Sequence, residues 1–147
     1  MLCRDVMKTK VITCHEEDSL YRCAQLMKEW KIGFLPVVDR TKKVVGVVTD
    51  RDIVVHGIAE NRPLVTESRS IMTKDVVACQ PADELWVAEE RMGSARKSRI
   101  LVLDEARRCL GIISLSDIAQ AEDEPRASEL LRQVTRREAS SPRTVRL

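Results

Sequence analysis

Two stretches of the chain combine residue types that could grip a sugar: Gly46-Val47-Val48-Thr49-Asp50-Arg51-Asp52 and Gly111-Ile112-Ile113-Ser114-Leu115-Ser116-Asp117. Each reads as a glycine, two apolar residues, a hydroxyl residue, two variable positions and an aspartate. The apolar pair suits the end of a strand, and the hydroxyl residue suits the start of a helix. An acid placed there can accept both hydroxyls of a ribose, as acids do in dinucleotide folds. The hydroxyl of Thr49 or Ser114 can add a bond to sugar or phosphate. Gly46 and Gly111 leave room for close backbone approach, and helix N-termini favour anions. The same atoms have a plainer use. A Thr or Ser at the N-cap accepts a bond from the third helical N–H, and an acid three residues on bonds back, which makes a capping box. One such stretch alone reads first as a cap. Two at equivalent places point to a paired ligand site.

The equivalence extends along most of the chain. Residues 6–53 moved forward by 65 positions fall on residues 71–118 without a gap. Eleven of the 48 pairs are identical, including Met7/Met72, Cys14/Cys79, Gly46/Gly111 and Asp52/Asp117. Duplication of this kind means two similar units that cover each other's apolar faces. Each unit reads β-α-β-β-α. In the first, residues 10–14 are expected as a strand, and 19–31 as an amphipathic helix through Leu20, Cys23, Ala24, Met27 and Trp30. Strands follow at 34–38 and 44–48, the latter buried on both faces. A helix opening at Thr49 turns Ile53, Val54 and Ile58 inward. The second unit has strands at 76–79, 100–103 and 110–114, a helix begun by Pro81-Ala82-Asp83, and a closing helix at 115–121. The expected fold class is α/β (α+β), with two repeats packed sheet-to-sheet about a pseudo-two-fold axis. The expected division is repeat 1 over 1–60, a linker over 61–69, repeat 2 over 70–124, and a tail over 125–147. That tail combines a short helix marked by Leu130, Leu131 and Val134 with a disordered basic end.

Bulk composition narrows the function. The chain has 147 residues, 44% hydrophobic and 33% charged, which is the balance of a globular protein. Its apolar runs, such as Val44-Val45-Gly46-Val47-Val48, are too short to span a bilayer. No secretory signal is evident at the N-terminus, so no membrane role and a cytoplasmic location are expected. The net charge is +2, but six arginines against two glutamates give residues 126–147 a charge of +4. The rest is nearly neutral, so a nucleic-acid-binding body is not expected, and contact through the Arg-rich tail is a weaker alternative. Five cysteines, an odd number without a C-x-x-C motif, are expected as reduced thiols. Cys14 and His15 point to opposite faces of a strand and make a poor metal pair, so no metal site is expected. No nucleophile or acid–base constellation emerges, so the chain is not expected to be an enzyme and requires no cofactor.

The duplicated β-α-β-β-α unit, the Leu35-Pro36-Val37-Val38-Asp39 strand and the Gly-x-x-[Thr/Ser]-x-x-Asp pattern resemble a tandem pair of cystathionine-β-synthase (CBS) domains, a Bateman module, over about residues 2–122. The resemblance implies adenosine-containing ligands of the AMP, ADP or ATP type, held between the repeats with the ribose on the Asp. One site would use Ile112, Ser114 and Asp117, faced by Lys10, Val11, Ile32 and Gly33, with Arg99 on phosphate. The other would use Val47, Thr49 and Asp52 with Asp75, Val76, Lys97 and Ser98. Phe34 stands where Arg99 stands in the repeat, so this second site lacks the phosphate partner and should be weaker or empty. The resemblance also implies a homodimer and an effector protein of unknown identity. The expected function is a stand-alone regulatory module that senses such a ligand. The alternative is a ligand-free dimerisation or scaffold protein.

Overall fold

The computed structural model describes residues 1–139, with side chains to residue 136. The expected disordered end at Ser140-Ser141-Pro142 lies outside the described residues. The elements run α1 (Cys3–Val6), β1 (Cys14–His15), α2 (Leu20–Trp30), β2 (Phe34–Val38), β3 (Val44–Thr49), α3 (Asp50–Asp52), β4 (Ala78–Cys79), α4 (Leu85–Ala95), β5 (Arg99–Leu103), β6 (Cys109–Ser114), α5 (Leu115–Ala121) and α6 (Glu124–Ala139). A π-helix over Ile53–Ile58 continues α3, and a 3-10 turn covers Ser68–Ser70. Strands β1-β2-β3 form one sheet and β4-β5-β6 another. In the first sheet β1 pairs parallel with β2, and β2 pairs antiparallel with β3. In the second, β4 pairs parallel with β5.

The chain divides into two compact units, and neither is a continuous run of sequence. The first-repeat unit holds Lys10–Val76 and Asp104–Cys109. The second-repeat unit holds Met1–Thr9, Val77–Leu103 and the described chain from Leu110 onward. Each has its own core. Leu20, Cys23, Leu35, Val37 and Val48 fill one, and Leu85, Met92, Ile100, Ile113 and Ile118 fill the other.

Local chemistry starts and stops the helices at matching places. Ser19 caps α2 by accepting a bond from the Arg22 N–H at 3.1 Å. The helices α2 and α4 both stop at a residue in the left-handed region, Lys31 at φ 53° and Arg96 at φ 54°. These two residues are themselves 65 apart in sequence.

Each repeat's leading segment packs into the unit of the other repeat. In the second-repeat unit Leu2 bridges to Glu84 and Lys8 to Ile112; in the first-repeat unit Glu67 bridges to Ser19 and Thr73 to Val47. The 65-residue offset maps one set of bridges onto the other. Gly46 and Gly111 make the close approach possible. A Cβ on Gly111 would lie 2.7 Å from Met7 Sδ and 3.0 Å from the Lys8 carbonyl. A Cβ on Gly46 would lie 2.7 Å from Met72 Sδ and 2.8 Å from the Thr73 carbonyl. The space read from the sequence as room for a ligand is therefore filled by the chain itself.

Several elements differ from their sequence expectation. Residues 10–13 and 76–77 form no regular strand, and pairing is confined to two residues in β1 and in β4. The residues ahead of these stretches, Lys8 and Thr73, pair instead with Ile112 and Val47. β3 alternates buried and half-buried residues rather than burying both faces. α4 starts at Leu85, after a turn, and not at Pro81. Ile53 is buried, but Val54 and Ile58 are 54% and 63% exposed. Bonds such as Ala59 N–H to the Val54 carbonyl show i→i+5 winding, and this moves residues off the 3.6-residue face assumed for them.

The C-terminal helix is longer than expected and is part of a core. Leu130 and Val134 are buried at 4% and 2% in the second-repeat core. Each contributes about 1.5–3 kcal/mol by burial. Gln133 packs onto Gly93 of α4, where any side chain would collide with its amide oxygen. Leu131 faces outward.

All five cysteines are unbridged, and Cys3, Cys14, Cys23 and Cys79 are buried. They meet in pairs, Cys14 with Cys23 and Cys3 with Cys79. The Cys23 thiol, and burial after it, push the Cys14 thiol well above its ordinary value.

Candidate functional site

The two sequence patterns fold alike. Thr49 and Ser114 end β3 and β6 and stand at the N-caps of α3 and α5, each accepting from the N–H of the aspartate three residues on. The aspartates answer. Asp52 Oδ2 accepts from the Thr49 N–H at 2.9 Å and the Thr49 hydroxyl at 3.0 Å. Asp117 Oδ2 accepts from the Ser114 N–H at 2.8 Å and its hydroxyl at 2.6 Å. Both boxes are thus complete.

Their remaining oxygens differ. Asp117 Oδ1 lies 3.0 Å from Lys8 Nζ, and the Asp117 side chain is 10% exposed against 73% for Lys8. Asp52 Oδ1 lies 4.0 Å from His56 Nε2. Burial pushes the Asp117 carboxyl upward, but the hydroxyl and N–H of Ser114 and the Lys8 ammonium outweigh it, holding it below the usual carboxylate range. The stabilisation this gives is complete above the unfolded pKa near ~3.9 and is lost as pH falls through the lower folded value. Asp117→Asn should therefore flatten the loss of stability between pH 5 and 3, as measured by urea titration at each pH.

A cavity of about 690 Å³ opens beside the Asp117 box, wholly within the second-repeat unit. Ser98, Arg99 and Ser114 line one side. The far side is α6, through Ala127, Ser128 and Leu131, with Glu122 and Glu124 at the turn leading into it. Asp117 is not among the lining residues; its cap partner Ser114 is.

The remaining expected residues divide between the units. Ile112 is half-buried on β6 in the second-repeat unit. There its N–H donates to the Lys8 carbonyl at 3.0 Å and its carbonyl accepts from the Lys8 N–H at 2.9 Å. Lys97 is exposed and belongs to the same unit, just before Ser98 and Arg99. Lys10, Val11, Ile32 and Gly33 belong to the first-repeat unit, as do Val47, Thr49, Asp52, Asp75 and Val76. Lys10 Nζ stands 4.6 Å over the Trp30 ring, a cation–π contact invisible in the sequence. The Gly33 carbonyl accepts from the Asp50 N–H at 3.0 Å. Val47 is half-buried, with its N–H donating to the Thr73 carbonyl at 2.9 Å. Asp75 is exposed and Val76 half-buried.

Sequence reasoning missed Lys8 and the α6 wall. The signal for Lys8 was the neighbouring Met7/Met72 identity, a match placed outside any regular element. Two of the tail arginines, read as a basic end, are paired with carboxylates on or just before α6. Arg126 pairs with Glu122 at 3.6 Å and Arg132 with Glu129 at 3.7 Å. Arg143 and Arg146 lie outside the described residues.

The family model for the CBS domain matches the chain twice, over residues 3–57 and 68–124. The chain belongs to the CBS domain family. It is a CBS domain pair, and its mixed architecture with two three-stranded sheets is that of solved CBS pairs. The CBS pair is 35% identical to inosine-5'-monophosphate dehydrogenase of Methanocaldococcus jannaschii over 124 residues, 84% of this chain and 24% of that enzyme. The chain spans about a quarter of the length of the first enzymes it matches. It is 30% identical to the CBS domain-containing protein YhcV of Bacillus subtilis over 116 residues, 79% of this chain and 81% of that protein. Among solved structures, the CBS domain pair of protein MJ0100 superimposes with a TM-score of 0.72 at 28% identity, covering 82% of this chain and 94% of that one. That protein was crystallised with 5'-methylthioadenosine and S-adenosyl-L-methionine. Both family matches end by residue 124, where α6 begins.

Proposed function

We propose that this CBS domain pair is a regulatory module, not an enzyme, and that it senses an adenosine-containing ligand of the adenine-nucleotide or adenosyl class. The ribose would sit on Asp117, whose Oδ1 exchanges its Lys8 contact for the sugar hydroxyls. Its 5' end would pass Ser114 toward Arg99. The observation that carries this reading is the second-repeat capping box. It holds a half-buried, ionised carboxylate whose cap partner, Ser114, lines a cavity that is also lined by the Arg99 guanidinium. The adenosyl ligands of the MJ0100 pair support it. The equivalent site on Asp52, with Val47, Thr49, Asp75 and Val76, is the weaker one, because Phe34 stands at the position of Arg99.

A ligand that binds only the folded state stabilises it by about 2.7 kcal/mol at a hundredfold excess over Kd. Thermal unfolding in AMP, ADP, ATP, NAD and S-adenosylmethionine should therefore show an upward shift with at least one. No shift with any of them would leave the second reading, a ligand-free scaffold. That reading is favoured by the closure of both boxes on their own helices.

The module is a homodimer in this account. Tyr21, Val54 and Ile58 expose large apolar surface on the first-repeat unit, as Trp86 does on the second. Contiguous exposed apolar surface marks association faces, and these side chains would contribute to one in the proposed dimer. Light scattering should give twice the chain mass, and a monomer would contradict the assignment. Ligand binding would bias the arrangement that an effector protein reads. No helix among the described residues is long and apolar enough to cross a membrane, and a cytoplasmic location suits the unbridged thiols.

A further inference from the structure

We infer that α6 makes the Asp117 site selective for adenosine ligands with a short or cation-bearing 5' substituent, and that it rejects polyphosphates. The inference rests on the proposed placement of ribose on Asp117. The cavity that would receive the 5' substituent has opposite charges at its two sides. Arg99 lies on the β5 side, and the carboxylates of Glu122 and Glu124 lie at the approach to α6. Around those carboxylates the charge is mostly negative. Burial first, and the Glu122 carboxylate next, raise the Glu89 carboxyl of α4, and Asp123 adds to the same effect. Glu89 Oε1 is buried without a hydrogen-bond partner. The Arg126 guanidinium opposes this group and is paired with Glu122.

An anionic group therefore has a partner near Arg99, and a second or third phosphate would run toward Glu124. Like charges at close range in a partly dry cavity cost several-fold in affinity or more. A terminal ammonium, as in an α-amino-acid tail, would instead find a carboxylate there. The rest of the lining includes the apolar Leu115 and Ala119 of α5 and Ala127 and Leu131 of α6, which suits a thioether or sulfonium linkage better than a hydrated phosphate chain. Most of α6 lies past the segment matched by the family model, so its wall of the cavity is an addition to the two CBS domains themselves.

The test is a calorimetric titration of the full chain with S-adenosylmethionine, 5'-methylthioadenosine, AMP and ATP, in magnesium-free buffer, for wild type, Glu124→Lys and Glu129→Lys. Glu124 is exposed, so its replacement leaves the core intact. Wild type should bind S-adenosylmethionine at least tenfold more tightly than ATP. Glu124→Lys should shrink that ratio at least tenfold. Glu129→Lys, on the same helix but outside the cavity, should leave it unchanged. Equal wild-type affinities, or a ratio insensitive to Glu124→Lys, would overturn the inference while leaving adenosine sensing in place. Absence of binding by all four ligands would overturn the sensing proposal itself and this inference with it.

Discussion

Gly46→Ala and Gly111→Ala are each expected to destabilise the protein by about 1–3 kcal/mol, the range for forcing extra volume into a packed site. The new methyl group meets two kinds of neighbour. Met72 and Met7 are flexible and can swing away. The carbonyls of Thr73 and Lys8 cannot, because they accept from Val47 N–H at 2.9 Å and Ile112 N–H at 3.0 Å. Relief of the clash therefore requires breaking a leading segment's bridge to the neighbouring strand. Other glycines provide the contrast. At Gly57 a methyl group would meet only Leu20 Cδ1, at 2.9 Å, and at Gly33 it would meet the carboxylate of exposed Asp50, 2.7 Å away. The Asp50 end can rotate into solvent, whereas Leu20 is buried and yields only by repacking. Urea denaturation should rank Gly46→Ala and Gly111→Ala well below wild type, with Gly33→Ala close to it. Equal stability of these three variants would show that the leading segments are not held as described.

These glycines also mark where the sequence stopped being legible. The strand and helix order could be read, because β2, α2, α4 and β6 carry strong local patterns and appear twice. The capping chemistry of Thr49, Asp52, Ser114 and Asp117 could be read because it is local, spanning three residues. The exchange of leading segments was not readable from periodicity, since Met7 and Lys8 lie in no regular element. Only the Met7/Met72 and Gly46/Gly111 identities hinted at a shared contact. Val54 and Ile58 were misplaced because a π-helix has a different winding from the one their spacing assumed. α6 was underestimated because its packing depends on Gly93 of α4, the position that admits Gln133. The Lys10 contact with Trp30 and the Lys8 contact with Asp117 are tertiary, and one sequence carries no local trace of them.

Asp117 is where the cap and the proposed site share atoms, so its replacement has the largest functional consequence. Hydrogen bonds to a charged partner contribute about 1.5–3 kcal/mol each, and a ribose would make two. Asp117→Ala should weaken an adenosine ligand by at least about tenfold to a hundredfold. It also opens a capping box, at about 1 kcal/mol of stability. Ser114→Ala separates the two effects, since it damages the same cap and keeps the carboxylate. The stability losses of the two variants should be similar and their affinities far apart. Asp52→Ala should have a smaller effect on binding, in line with the weaker site on the first repeat.

The most direct measurement is a calorimetric titration of S-adenosylmethionine and AMP into wild type, Ser114→Ala and Asp117→Ala under identical conditions. The account predicts saturable binding to wild type, slightly reduced binding to Ser114→Ala, and binding to Asp117→Ala at least about tenfold weaker than to wild type while its circular dichroism stays native. Equal affinity in all three proteins, or no binding to wild type, would mean that the Asp117 carboxylate serves its helix alone.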